Sequence, residues 1–256
     1  ALTGVGHGTP GAVVYGLLGL DAEKMEMSAT PAIATLATEG KLLLNGTHPI
    51  SFSAMQDVDP EATWVMQGWL FYHERDYWGD KEIKALLGAV PDDRMIILDL
   101  WSERHPVWNR TNAYYGKPWI WCMLHNFGQN INMSGNLTSI ANDPANALND
   151  PSARNMAGIG LTMEGIGQNP MVYAMMLENV WRDKPVDKDE FLRDYLSQRY
   201  GCCNETAFAA WQTLMASVYE NTVNNGGQES IITGRPSFKV NPGGTTNTKS
   251  HYDKTD

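Results

Sequence analysis

The chain has 256 residues, with 19 Lys and Arg against 29 Asp and Glu, a formal net charge of −10, and 43% hydrophobic residues. That is enough apolar material for one large packed domain, or one domain and part of another. The acidic balance excludes a nucleic-acid surface, and no run approaches ~18 consecutive apolar residues, so no membrane partner is expected.

Nine tryptophans and ten tyrosines suit stacking on a sugar-like partner as well as core packing. Cys122, Cys202 and Cys203 give no disulfide framework and no CxxC, so neither a metal nor a cofactor is expected. Five N-x-S/T sequons, at Asn45, Asn109, Asn132, Asn136 and Asn204, lean toward the secretory pathway. The chain begins at Ala1 without a signal peptide and reads as a piece of something longer.

Residues 1–53 differ in texture from the rest of the chain. The GVGHG segment (4–8) lacks a Walker lysine, a preceding strand and GxGxxG spacing, so a phosphate loop is rejected. After Pro60, the apolar run 62–71 predicts a buried strand, with Gln67 between Trp64 and Trp69, and Gly68 letting the backbone pass close to a neighbour. Asp80 predicts the cap of a helix over 81–89. RMIILDL (94–100) predicts a second strand, with Asp99 near its end and Glu103 just beyond; Asp99 is expected to hold a loop. WIWCML (119–124) predicts a third, ending in His125 and Asn126. An Asn-rich region comes next, with a short helix expected over 137–142.

MAGIGLT (156–162) predicts the fourth strand and leads to Glu164, flanked by Gly160, Gly165 and Gly167, which leave room for a ligand or backbone to approach. A helix is expected over 170–181, where Met171 and Met175, then Val172 and Met176, recur at i, i+4. The repeated order is apolar strand, polar residue at its carboxyl end, loop, helix. A (β/α) barrel gathers such strand ends on one face. Beyond Pro185, amphipathic helices over 187–200, capped by Asp187 and stopped by Gly201, and over 207–219 begin a helical domain. The tail from Asn224 is rich in Gly, Thr and Asn, and its last dozen residues read as disordered.

The segments ATWVMQGWLF (62–71), ILDLWSE (97–103), KPWIWCMLHNFG (117–128) and GLTMEGIGQNPMVY (160–173) together resemble the α-N-acetylglucosaminidases, the lysosomal glycoside hydrolases of heparan sulfate degradation. WRDKPVDKDEFLRDYLSQRYG (181–201) and RPSF (235–238) extend the likeness. The resemblance implies an α/β fold: the second half of a (β/α)8 TIM-type barrel over 54–185, then the start of an all-α domain over 186–256. Residues 1–53 stay unassigned.

The resemblance also implies a retaining exo-glycosidase acting on a glycan with terminal α-linked N-acetylglucosamine, in a lysosomal or secreted protein. Such enzymes use one glutamate as nucleophile and one as acid/base, their carboxyl groups ~5–5.5 Å apart. The MEGIGQN context puts the nucleophile on Glu164, which must be ionised to attack and needs donors nearby. Trp69 and Trp121 are expected to stack on a sugar, and His125 and Asn126 to bond its hydroxyls or N-acetyl group; Cys122 is expected to fill the core.

The family's acid/base follows an asparagine in an N-E motif upstream of QGWLF, and this chain has no such motif there. Its one N-E pair, Asn204-Glu205, lies in the helical part. The acid/base is therefore expected to be absent and this chain alone to be inactive and poorly stable. The competing expectation is a non-catalytic carbohydrate-binding or structural remnant of the same fold.

Overall fold

The structure, a computed structural model, describes residues 14–19, 35–36, 39–44, 46–51, 62–126, 134–165 and 169–220. The expectations for residues 4–8, the sequons at Asn45 and Asn132, Gly167, RPSF and the tail from Asn224 fall outside them. The chain divides into two compact units, Ala1–Met66 with Lys84–Ile96, and Gln67–Ile83 with Ile97–Asp256. The first contains the antiparallel pair β1 (Leu42–Leu44) and β2 (His48–Ile50), with Leu42 opposite Ile50. Leu42 and Val14 form a small core there, flanked by Tyr15, Leu18 and Ile50.

The main sheet has strand order β3-β4-β5-β6, with β3 at Trp64–Gln67, β4 at Met95–Asp99, β5 at Trp119–Met123 and β6 at Met156–Leu161. β4 runs parallel to β5, pairing Asp99 with Trp121, and β5 runs parallel to β6, pairing Met123 with Leu161. Trp119 faces Met156 but Ile120 faces Gly158, so Ala157 is an extra residue in β6. Because these strands are parallel, their carboxyl ends open on one edge, and polar residues placed there in sequence become neighbours in space. The ladder even continues past β6: Thr162 donates its N–H to Met123 O at 3.0 Å and its hydroxyl to Leu100 O at 2.8 Å.

The single strand expected over 62–71 is corrected. It ends at Gln67, and α1 (Leu70–His73) begins almost at once. Gly68 marks the break: its N–H bonds Leu98 O at 2.8 Å, and a Cβ there would lie 2.7 Å from the Tyr114 hydroxyl oxygen. The close neighbour expected of Gly68 is therefore Tyr114 and the backbone of β4. A run of apolar residues satisfies either a strand or a helix, and the tight passage at Gly68 decides where one gives way to the other.

The α2 helix (Asp80–Gly88) buries Ile83 and Leu87 and begins with Asp80, which accepts the Tyr115 hydroxyl at 2.9 Å. The short helix expected over 137–142 continues as α3 to Asn149, across Pro144. Proline removes the donor that Ile140 O would otherwise receive. The Asn179 side chain supplies it instead at 3.0 Å, and also bonds Met175 O and Met176 O at the end of α4 (Pro170–Glu178). Helix α5 (Lys188–Tyr200) starts where the Asp187 carboxylate accepts the N–H groups of Asp189 and Glu190, and ends at Gly201 with φ +79°. Asn204 likewise caps α6 (Glu205–Ala216) by accepting Ala207 N–H at 2.9 Å. Among the described residues no helix is long and apolar enough to cross a membrane.

Candidate active site

Asp99 ends β4 fully buried. Its carboxylate accepts the N–H of Val107 on both oxygens at 3.1 Å and that of Trp108 at 2.9 Å. It ties the loop after β4 back to the strand, the role expected of it. Burial outweighs these donors and pushes its carboxyl up to about 6.

Glu103, only 4% exposed, accepts the N–H of Leu124 at 3.2 Å and that of His125 at 2.6 Å. Burial raises its carboxyl to about 7, against the pull of those two amides. A raised carboxyl near a strand end invites the role of general acid. Its geometry argues otherwise, since each oxygen faces a backbone N–H and the residue is sealed from solvent.

What Glu103 holds is a tight turn. Asn126 N–H bonds back to Leu124 O at 2.6 Å, with His125 between them at φ +60°. That left-handed conformation is costly for a non-glycine residue and persists only when its surroundings fix it. The expectation that His125 bonds the sugar meets a different arrangement: its Nε2 lies 2.9 Å from Asn169 Nδ2 and its ring meets Tyr173 edge-on. Asn169 receives the Tyr219 hydroxyl on Oδ1 at 3.4 Å, so its amide nitrogen faces the imidazole and His125 Nε2 accepts. Burial lowers this histidine to about 4, in keeping with a neutral ring.

Asn126 is 5% exposed and its amide is occupied. Oδ1 accepts Gly165 N–H at 2.8 Å, while Nδ2 donates to the Tyr173 hydroxyl at 2.8 Å and to Gly165 O at 3.3 Å. Its own carbonyl accepts Glu164 N–H at 3.2 Å. The amide from which a sugar contact is expected is thus engaged with Gly165 in the Glu164 segment and with Tyr173.

Glu164 lies beyond the end of β6 and is an exposed residue, with its backbone N–H anchored on Asn126 O. Gly160, behind it, gives way not to a ligand but to Cys122, whose sulfur would lie 3.0 Å from an added Cβ. Cys122 itself is fully buried, as expected of a core filler. Trp121, for which a stacking role is expected, is 1% exposed and packs within β5. Trp69 is different. It is half-buried at the start of α1, its ring 5.5 Å from Trp101 and 4.7 Å from Tyr72, which leaves part of an aromatic cluster open.

The structure thus brings Glu103, His125, Asn126 and Glu164 into one network and leaves Trp121 out. Sequence reasoning missed Tyr173 and Asn169, which complete that network. Their one visible signal is Asn169-Pro170 opening α4, with Tyr173 a turn further on. Among the described residues there is no group of three or more His, Cys, Asp or Glu able to hold a metal.

The chain is similar to known proteins. Residues 34–183 match the family described as alpha-N-acetylglucosaminidase (NAGLU) tim-barrel domain, and residues 191–256 match the NAGLU C-terminal domain. The first match begins upstream of residue 54, where the motif likeness starts. A human alpha-N-acetylglucosaminidase is 42% identical over 193 residues, 74% of this chain and 26% of that protein. A family 89 glycoside hydrolase from Clostridium perfringens in complex with PUGNAc superposes with a TM-score of 0.63 at 31% identity, over 77% of this chain and 21% of that one. The same enzyme with 2-acetamido-1,2-dideoxynojirmycin gives 0.64 at 29% identity, over 92% and 24%. A form with two glutamates replaced by glutamine, in complex with its substrate GlcNAc-alpha-1,4-galactose, gives 0.63 at 31% identity, over 77% and 21%. The chain therefore spans about a quarter of the length of the relatives it matches. Its parallel strands belong to a TIM-barrel domain and its last helices to the C-terminal domain beyond it, and the chain is a member of the alpha-N-acetylglucosaminidase family.

Proposed function

We propose that this chain carries the nucleophile half of a retaining exo-glycosidase that releases terminal non-reducing α-linked N-acetylglucosamine from heparan-type glycans. The observation that carries the reading is Glu164: an exposed glutamate on an anchored backbone, beyond the end of a parallel strand, in a chain of this family. Ionised, it attacks the anomeric carbon and displaces the aglycone, forming a glycosyl-enzyme that water then hydrolyses. Trp69, with its partly open ring, packs against a face of the sugar. The substrate GlcNAc-alpha-1,4-galactose of the bacterial relative with two glutamates replaced supports both the terminal sugar and a two-glutamate chemistry.

On this reading the second carboxyl group, which protonates the departing oxygen, is lacking from the described residues. Glu103 is sealed, and no N-E motif precedes Gln67. Residues 54–185 form the barrel part, 186–256 begin the helical domain, and the sequons fit a lysosomal or secreted protein.

The test compares residues 1–256 with the longest translation product of the transcript, using p-nitrophenyl α-N-acetylglucosaminide. The longer product should turn over, Glu164→Gln should remove at least about 10³-fold of kcat, and residues 1–256 should show none. Turnover untouched by Glu164→Gln would sink the assignment, and turnover by residues 1–256 would sink the missing acid. No turnover by either product would favour the structural or carbohydrate-binding remnant, the reading that the absent N-E motif supports.

A further inference from the structure

We propose that Asn126 is a positioning residue, one that aims the carboxylate of Glu164 without touching the sugar. This rests on the reading of Glu164 as nucleophile and adds to it the device that holds the side chain on line.

The Cα of Glu164 lies between two peptide units, and the direction of its Cα–Cβ bond is set by how those two planes are held. Both have their N–H bonded to Asn126. Glu164 N–H goes to the Asn126 carbonyl at 3.2 Å, and Gly165 N–H goes to Asn126 Oδ1 at 2.8 Å. Asn126 Nδ2 then takes the Gly165 carbonyl at 3.3 Å, so the amide grips that glycine on its donor and its acceptor, as a neighbouring strand would. Neither φ nor ψ of Glu164 can change without breaking one of these bonds. The remaining donor of Nδ2 reaches the Tyr173 hydroxyl at 2.8 Å, which fixes the amide plane from α4.

The grip has its own foundation. Asn126 leaves the turn at His125, whose backbone is left-handed at φ +60°, and Glu103 holds that turn through the N–H groups of Leu124 and His125. Order therefore runs inward from a buried carboxylate, through a strained turn, to an amide, and ends at the one exposed acid on the strand-end network. An asparagine suits position 126 because its amide both accepts and donates. Aspartate offers no donor to Gly165 O or Tyr173, and leucine, though of similar size, offers neither donor nor acceptor.

A displacement of about 1 Å in a reacting group costs about 10²-fold in rate, with no change in ground-state binding required. In the longest translation product, Asn126→Ala should therefore lower kcat on p-nitrophenyl α-N-acetylglucosaminide by about 10- to 100-fold, with KM and the inhibition constant of N-acetylglucosamine within about twofold of wild type. Tyr173→Phe, which removes only the partner of Nδ2, should lower kcat by about three- to tenfold with the same constancy. Amide exchange at Gly165, whose N–H loses its side-chain acceptor, should quicken in Asn126→Ala while exchange in β5 stays slow; this readout does not depend on turnover. If Asn126→Ala does not fold, Asn126→Asp and Tyr173→Phe carry the same comparison.

Loss of N-acetylglucosamine affinity in step with the loss of kcat/KM would make Asn126 a sugar contact and overturn the proposal. So would an unchanged kcat in a folded Asn126 variant. If Glu164→Gln keeps full activity, or wild type has none, the nucleophile reading fails and this inference falls with it. If Glu164→Gln is dead and the Asn126 variants match wild type, the inference alone fails.

Discussion

Asp99 receives the Val107 backbone N–H on both of its carboxylate oxygens, at 3.1 Å each, and the two residues together close the loop beyond β4. A carboxylate suits this position because it only accepts. Asn at 99 places its amide nitrogen against a backbone N–H whichever way it is turned, and Ala leaves two buried N–H groups without a partner. We expect Asp99→Asn to lower stability by about 1–3 kcal/mol, and Asp99→Ala by more, as read from the urea midpoint.

The same burial makes stability depend on pH. Folded Asp99 holds its proton to about 6 against an ordinary 3.8, and Glu103 to about 7 against 4.5. Between roughly pH 4 and 7 the folded chain therefore binds more protons than the unfolded one at these two sites. Their contribution is fullest below that window and is lost as pH rises through it. His125 acts in the opposite sense: lowered from 6.5 to about 4, it weakens the fold as pH falls through that range. We expect Glu103→Gln to lose stability, because its amide nitrogen must face Leu124 or His125 N–H, and to show a flatter decline in melting temperature from pH 5 to 7.5. A decline as steep as wild type would remove Glu103 as its source.

The sheet and the positions of Asp99, His125, Asn126 and Glu164 were legible because each strand is a short apolar run with a polar residue at its end or within three residues of it. What those polar residues do was not. Asn126 has the same composition whether its amide meets a sugar or the Gly165 peptide, and the contact lies 39 residues away. Trp69 and Trp121 are equivalent as letters, yet one is half-open at a helix start and the other is sealed in β5. The consecutive left-handed residues Asn112, Ala113, Tyr114 and Tyr115, with φ between 50° and 54°, contain no glycine and gave no sign in the sequence. The extent of α3 was hidden for a similar reason, since Pro144 signals a stop unless the donor supplied by Asn179 is known.

Gly68 is the point where the apolar run 62–71 changes from strand to helix, and the space there is already filled. A methyl group would lie 2.7 Å from the Tyr114 hydroxyl oxygen and 3.2 Å from Leu98 O. Tyr114 is fully buried and cannot swing away, and the other neighbour is backbone. We expect Gly68→Ala to cost about 1–3 kcal/mol by chemical denaturation. Pairing it with Tyr114→Phe removes the nearest atom and should recover part of that loss; no recovery would mean that the Leu98 backbone sets the limit.

Asn179 joins α3 to α4 through a single amide. Its Nδ2 lies 3.0 Å from Ile140 O, the carbonyl that Pro144 leaves without its helical donor, and 3.1 and 3.3 Å from Met175 O and Met176 O. The residue is 6% exposed, so removing the amide leaves those carbonyls with no ready access to water. We expect Asn179→Ala to lower stability by about 1–3 kcal/mol, with Asn179→Asp at least as damaging, since a carboxylate would face carbonyl oxygens. The decisive comparison is a double-mutant cycle with Pro144→Ala. Alanine restores an N–H for Ile140 O, so the cost of losing Asn179 should shrink by about 0.5–1.5 kcal/mol in that background. A cycle that closes to zero would show that Asn179 serves only the end of α4, and that α3 tolerates its proline without help.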